Sequence, residues 1–262
     1  MHIDRVILSS NNSEKYLDFW NIVSESWVKI ANIRPTLFVV SEKDLGLNTK
    51  YGEVYYQNPL GSSDISTASQ SQILRLFAAS KFSEEICLIS DLDMMPLQYK
   101  YFHDQIKPVP DDNIVFYSSD AYLPNGPSYP AFPMCYMLAK GKTFEEILGA
   151  TYDDFSREMI EWMGYSYGWF TDEKVFYKKW NDWIDQSKRT TLLRRGFNIS
   201  DAHTMKRIDR AYNSFYDKNM LRDGYYVDYH MPRPYSLHKN LIDRIYNICL
   251  GGILKKEESN AF

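Results

Sequence analysis

The 262-residue chain reads as one α/β domain with a mixed, mostly parallel sheet flanked by helices. Short unbroken apolar runs recur, as strands buried on both faces require. Helical periods separate those runs, and turn residues close them, which is the order of a parallel sheet with crossover helices.

Residues 5–10 (RVILSS) form the first run, and it stops at Ser-Ser-Asn-Asn. Ser13 offers a cap to a helix whose Leu17, Trp20, Val23 and Trp27 share one face. Pro35 resets the chain before a second strand at 36–40 (TLFVV), and Val54, Tyr55 and Tyr56 make a third. A polar loop, PLGSSDISTAS, leads to a helix that turns Ile73, Leu74, Phe77 and Ala78 inward. The apolar run ICLIS follows, then a strand at 113–117 (NIVFY). Residues 118–133 hold four Pro and one Gly with no period, and their Tyr and Phe content predicts an ordered loop over a ligand. A strand at 134–139 and helices near 143–163 and 172–185 complete the core. The domain is expected to span 1–240, with a C-terminal helix and tail at 241–262. Leu241, Ile245 and Ile248 give that helix an apolar face, suited to packing on the domain or, less simply, to a membrane surface.

Composition narrows the function. Apolar residues make up 44%, enough for a sizeable core, and aromatics 16%, with 21 Tyr. Aromatic faces suit sugars and bases. The net charge of −4 argues against nucleic-acid binding through the whole surface. Three scattered cysteines, Cys87, Cys135 and Cys249, read as reduced thiols of a cytoplasmic protein. No segment approaches the ~20 apolar residues that span a bilayer, and the N-terminus lacks the pattern of a secretory signal. Oligomeric state is not legible.

The run 86–90 drives straight into Asp91 and Asp93. Residues two apart on a strand point the same way, and ligands of open α/β sheets bind at strand C-terminal ends. Two carboxylates about 4 Å apart repel by roughly 4 kcal/mol at an effective dielectric near 20. A divalent cation removes that repulsion, and oxygen ligands suit Mg²⁺ or Mn²⁺. The plain alternative is a solvated strand end. Ser9, Ser10 and Asn11, ending the first strand, are natural partners for a base and ribose, or ordinary turn residues.

The segment LISDLDMMPL resembles the Asp-x-Asp segment of nucleotide-sugar glycosyltransferases of the GT-A fold. RVILSS is similar to their first nucleotide-binding strand, SQSQILRL to the helix before the motif, and PMCYMLAKG to the strand beneath the sugars. GWFTDEKVFYKKW is similar to the helix start that carries a catalytic or acceptor-binding carboxylate, and YHMPRPYS to the late segment that supplies a metal-ligating histidine. The order spans residues 5–236 and also resembles small viral and bacterial sugar transferases.

The resemblance implies a GT-A fold and Mn²⁺ or Mg²⁺ bridging the two phosphates of a UDP-sugar donor. Asp93 would bind the metal directly, Asp91 would divide itself between metal and ribose, and His230 would be the third ligand. Ser90 joins the donor-binding set. Arg75 and Gln72 would reach base or phosphates, or, for Arg75, pair with a surface acid. If the anomeric carbon inverts, Asp172, with Glu173 close behind, would take the proton of a glycan acceptor's hydroxyl; if it is retained, the same group would only position substrate. Simple helix capping by Thr171 or Asp172 is the competing explanation. Trp169 and Phe170 would stack on a sugar or fill core. Lys188, Arg189, Arg194, Arg195, Lys206, Arg207 and Arg210, against Asp201 and Asp209, would clamp a diphosphate or form a solvated face.

Three rivals stand. A sugar-phosphate nucleotidyltransferase expects a Gly-rich first loop, and MHIDRVILSSNN has no glycine. An aspartyl-phosphate phosphatase expects Thr or Val where Met95 stands. A non-catalytic carbohydrate-binding protein would keep the aromatics but need neither metal nor Asp172.

Overall fold

The computed structural model describes residues 1–61, 65–117, 119, 131–193, 207–211 and 215–260, with side chains to 253. In chain order the elements are β1 (Arg5–Asn11), α1 (Glu14–Leu17), α2 (Trp20–Lys29), β2 (Arg34–Val40), β3 (Glu53–Gln57), α3 (Thr67–Ala78), β4 (Ile86–Ile89), β5 (Met94–Pro96) and α4 (Tyr99–His103). There follow β6 (Ile114–Phe116), β7 (Met137–Lys140), α5 (Gly141–Leu148), α6 (Phe155–Gly164), α7 (Thr171–Asp182), β8 (Thr190–Leu192), β9 (Arg207–Asp209), α8 (Lys218–Arg222), β10 (Asp228–His230) and α9 (Tyr235–Asn260).

Seven strands form the main sheet in the order β3-β2-β1-β4-β7-β6-β8. β1 pairs in parallel with both β2 and β4, while β7 runs antiparallel between β4 and β6. A small second sheet, β5-β10-β9, carries the chain just after β4 beside the chain just before α9.

The unbroken apolar runs are explained by a core on each face. Along β1, Val6 and Leu8 enter one core and Ile7 the other. Along β2, Leu37 and Val39 oppose Phe38 and Val40 in the same way. The first core holds α2 and α9, with Trp27 edge-on to Phe102 at 5.0 Å. The second holds α3, α5, α6 and α7 around Phe77 and Trp162, 5.4 Å apart. Fully burying one such side chain is worth about 1.5–3 kcal/mol.

Several expected bounds shift. The helix after Ser13 is two pieces, α1 and α2, and Ser13 makes no side-chain cap bond. The region 143–163 is broken at Gly149, whose φ of +66° ends α5 and favours glycine. The strand expected at 134–139 is confined to β7; Met134 and Cys135 instead line a cavity. The C-terminal helix begins at Tyr235, so the division expected after residue 240 falls inside α9. Among its described residues the buried apolar side chains are Ile242, Ile245, Tyr246 and Cys249, with Leu241 and Ile248 packed at the margin. No helix among the described residues is long and apolar enough to cross a membrane. Most of the loop at 118–133 lies outside the described residues, as do Arg194, Arg195, Asp201 and Lys206.

Candidate functional site

The strand order reverses at β1: β2 and β3 are laid down on one side, β4 on the other. In a parallel sheet such a switch point opens a crevice at the strands' C-terminal ends. Here that crevice is a cavity of about 330 Å³. Ser9, Ser10 and Asn11 from the end of β1, Gln72 and Arg75 from α3, and Asp91 and Asp93 beyond β4 line it. Asp172 and Glu173 from α7, His230 from β10, and Trp169 complete the expected set. Ser90 is the exception: it is fully buried, is not part of the lining, and points its hydroxyl at the Asp91 carbonyl.

The acidic doublet is not on the strand itself. β4 ends at Ile89, and a turn closed by Met94 N–H on the Asp91 carbonyl carries the pair. The turn aims the two carboxylates at different partners. Asp91 is ion-paired to Arg75. Asp93, 5% exposed, has Oδ2 3.1 Å from Arg210, 3.4 Å from Arg233 and 3.6 Å from His230.

Arg75 is buried rather than surface-paired, and it bridges two acids. Nη1 meets Asp91, and Nη2 donates to Asp172 Oδ2 at 3.2 Å. Burial opposes its charge, but Asp91 and Asp172 outweigh that and hold the guanidinium firmly charged. The two acids then part ways. Burial pushes the Asp91 carboxyl up, but Arg75 overrides it and the pKa falls below the ordinary value. At Asp172 burial wins over Arg75, and the pKa is raised. Environments that separate two carboxyl pKa values are the usual setting of acid–base assignments. Asp172 is 2% exposed, so it is no solvated helix cap, although its Oδ1 accepts from the Glu173 N–H at 3.0 Å in the first turn of α7, where Phe170 holds the N-cap position.

His230 lies between two carboxylates, Asp93 on Nε2 and Asp209 on Nδ1 at 3.3 Å. Burial opposes its charge, yet the bond and attraction from Asp93 prevail and raise its pKa. Behind it, Asp228 is fully buried and accepts two 2.7 Å bonds from Arg207 and one of 2.8 Å from Tyr136.

Of the basic excess, Arg207 and Arg210 reach the cavity. Arg189 does not: it is spent on Glu146, Asp185 and Asp112. Tyr16, Cys135 and Arg233 also line the cavity, though none was singled out as a site residue from the sequence. Arg233 had a signal in its place inside YHMPRPYS and Cys135 inside PMCYMLAKG; Tyr16 had none.

Among the described residues no three His, Cys, Asp or Glu side chains converge as a metal cage. The donor chemistry nevertheless suits Mg²⁺ or Mn²⁺: two carboxylates and an imidazole face one cavity, and Asp93 already neighbours His230. Arginines hold the carboxylates where a cation would otherwise be the counter-charge.

No family model and no curated protein sequence matches the chain. Solved structures do. An active-site mutant of LgtC aligns at TM-score 0.50 and 12% identity, covering 93% of this chain and 94% of that one. The fold is that of a GT-A glycosyltransferase. The glycosyltransferase GlyE of Streptococcus pneumoniae TIGR4 aligns at 0.48 and 10% identity, over 98% of this chain but 64% of its own. A glycosyltransferase involved in glycosylation of the major capsid of PBCV-1 aligns at 0.44 and 13%, over 92% and 98%.

Proposed function

We propose that the chain is a metal-dependent glycosyltransferase that moves a sugar from a UDP-sugar to a hydroxyl of a glycan. The observation that carries this reading is the cavity at the switch point, lined by strand-end Ser and Asn residues, Asp91, Asp93, His230 and four arginines. Polar strand ends suit a base and ribose, and arginines suit a diphosphate.

In this reading Ser9, Ser10 and Asn11 hold the nucleoside, with Gln72 beside them. Arg210 and Arg233 take phosphate oxygens. Asp91, Asp93 and His230 hold Mn²⁺ or Mg²⁺, which when bound neutralises charge on the departing diphosphate. Arg75 fixes Asp172 in place. The acceptor oxygen bonds to the anomeric carbon as the bond from that carbon to the diphosphate oxygen breaks, and the hydroxyl proton passes to Asp172. Glu173 is the neighbouring carboxylate that orients the acceptor.

Unfolding temperature measured with UDP, GDP and dTDP, each with and without Mn²⁺, tests the donor reading. UDP should stabilise the protein only when Mn²⁺ is present; no shift with any nucleotide would reject it. Asp93→Ala should abolish the metal-dependent shift. Asp172→Asn should keep it and lower transfer by at least about 100-fold, the usual size of a general-base contribution. Full transfer by that variant would remove Asp172 from the proton path.

A further inference from the structure

Exposed apolar side chains are concentrated at residues 160–170, a ledge that starts at the cavity and runs outward. Of the twelve large apolar side chains exposed among the described residues, five stand there: Ile160, Tyr165, Tyr167, Trp169 and Phe170. Trp169 is 60% exposed, whereas the other five tryptophans are at most 9% exposed. Two left-handed residues, Ser166 at φ 56° and Gly168 at φ 60°, turn the backbone on either side of Tyr167. The turns lay Tyr165 and Tyr167 nearly parallel, centroids 5.9 Å apart and planes 12° apart. Lys174 and Lys178 sit over these rings at 4.6 and 5.4 Å. The inner end of the ledge is cavity wall. Trp169 lines the cavity, its carbonyl accepts from Gln72 at 3.4 Å, and Asp172 follows three residues on.

The cavity's 330 Å³ lies at the lower end of the roughly 300–1,000 Å³ that holds one drug-sized ligand. In the glycosyltransferase reading a nucleotide sugar occupies it, which puts acceptor atoms beyond the reacting hydroxyl at the mouth. Resting on the glycosyltransferase reading above, we propose that the ledge binds the non-reacting units of an oligosaccharide acceptor, Trp169 stacking on the nearest sugar and Tyr167 and Tyr165 on units further out. A sugar ring has an apolar C–H face for the aromatic ring and a polar rim for tyrosine hydroxyls and lysine ammonium groups. A protein partner or a second copy seated on the same rings would close the cavity mouth to any acceptor.

The test is a printed oligosaccharide array probed with the full chain in UDP and Mn²⁺. Di- to tetrasaccharides should bind above monosaccharides. Trp169→Ala should weaken that binding about tenfold, the scale of one lost aromatic contact, and Trp169→Phe should restore most of it. Unfolding temperature without ligand controls for folding, since the indole is mostly exposed. The proposal is overturned if array binding ignores Trp169→Ala, if no saccharide binds while UDP with Mn²⁺ still stabilises the protein, or if a dimer forms that Trp169→Ala dissolves. Absence of the nucleotide shift in the unaltered protein would instead strike the donor reading, which the array signal judges separately.

Discussion

Replacing Arg233 by Met should tighten, not weaken, the binding of Mn²⁺ alone. Asp93 Oδ2 lies 3.4 Å from Arg233 and 3.1 Å from Arg210. A cation settling on that oxygen must displace both guanidiniums. At 3.4 Å and an effective dielectric of 20, Coulomb attraction is about 5 kcal/mol, an upper bound. Arg210 is 37% exposed and Arg233 21%, so solvent reduces each pair to about 1 kcal/mol. Removing one competitor therefore lowers the Mn²⁺ dissociation constant about fivefold, and removing both about thirtyfold. Met keeps most of the apolar stem but gives up the guanidinium's place 5.0 Å over the Tyr16 ring and its bond to the Tyr16 hydroxyl, so unfolding temperature is measured beside the titration.

Titration calorimetry of Mn²⁺ into nucleotide-free protein reads this directly, with Asp93→Ala as the variant that binds no metal. The same variants should bind UDP with Mn²⁺ more weakly, about tenfold, because the freed guanidiniums are the phosphate donors. That opposite sign separates displacement from simple damage to the site. The reasoning is refuted if Mn²⁺ affinity is unchanged or falls in both Arg233→Met and Arg210→Met.

Asp228→Asn should destabilise the fold by about 1.5–3 kcal/mol, because it removes the charge of a fully buried carboxylate that accepts two bonds from the partly buried Arg207; chemical denaturation measures it, and a loss under about 0.5 kcal/mol would contradict the pairing. Gly141→Ala places Cβ against the carbonyls of Ala79 and Phe82; a cost of about 2–3 kcal/mol, or roughly 4–10 °C of unfolding temperature, is expected by calorimetry. His103 is held below its ordinary pKa by burial, the bond its Nε2–H donates to Ala31 only partly opposing that. Its folded pKa is depressed, so its contribution is complete above the unfolded value near 6.5 and is lost as pH falls through the folded value, at up to about 1.4 kcal/mol per pH unit. His103→Gln should flatten the fall in unfolding temperature between about pH 7 and 5; an unchanged slope would exclude His103 as its source.

What the sequence revealed and what it concealed divide along a physical line. The runs at β1, β2 and β4 were legible because both faces of each strand meet a core, so no polar residue interrupts them. The Asp91–Asp93 doublet was legible because charges at the end of such a run are costly without a partner. Their actual partners were not, since Arg75 precedes Asp91 by 16 residues and Arg210 follows Asp93 by 117; ion pairs formed by tertiary approach leave no spacing behind. Asp228 was hidden for the same reason, an ordinary polar residue in a short strand until Arg207 and Tyr136 close on it.

Trp169 and Phe170 marked the limit of composition as a guide. Aromatic content alone left sugar stacking and core packing equal, and exposures of 60% and 45% decide against the core. The backbone is left-handed at Ser166 and Gly168, just before Trp169, Phe170 and the start of α7. The same turn leads into Asp172, 2% exposed beside Arg75. A single local device thus places the aromatic ledge and the buried carboxylate on opposite sides of one short segment, so moving that turn would displace both together. Ser166→Pro, which cannot adopt φ 56°, is therefore expected to lower array binding and transfer in parallel, while any change in one alone would show the two to be independently held.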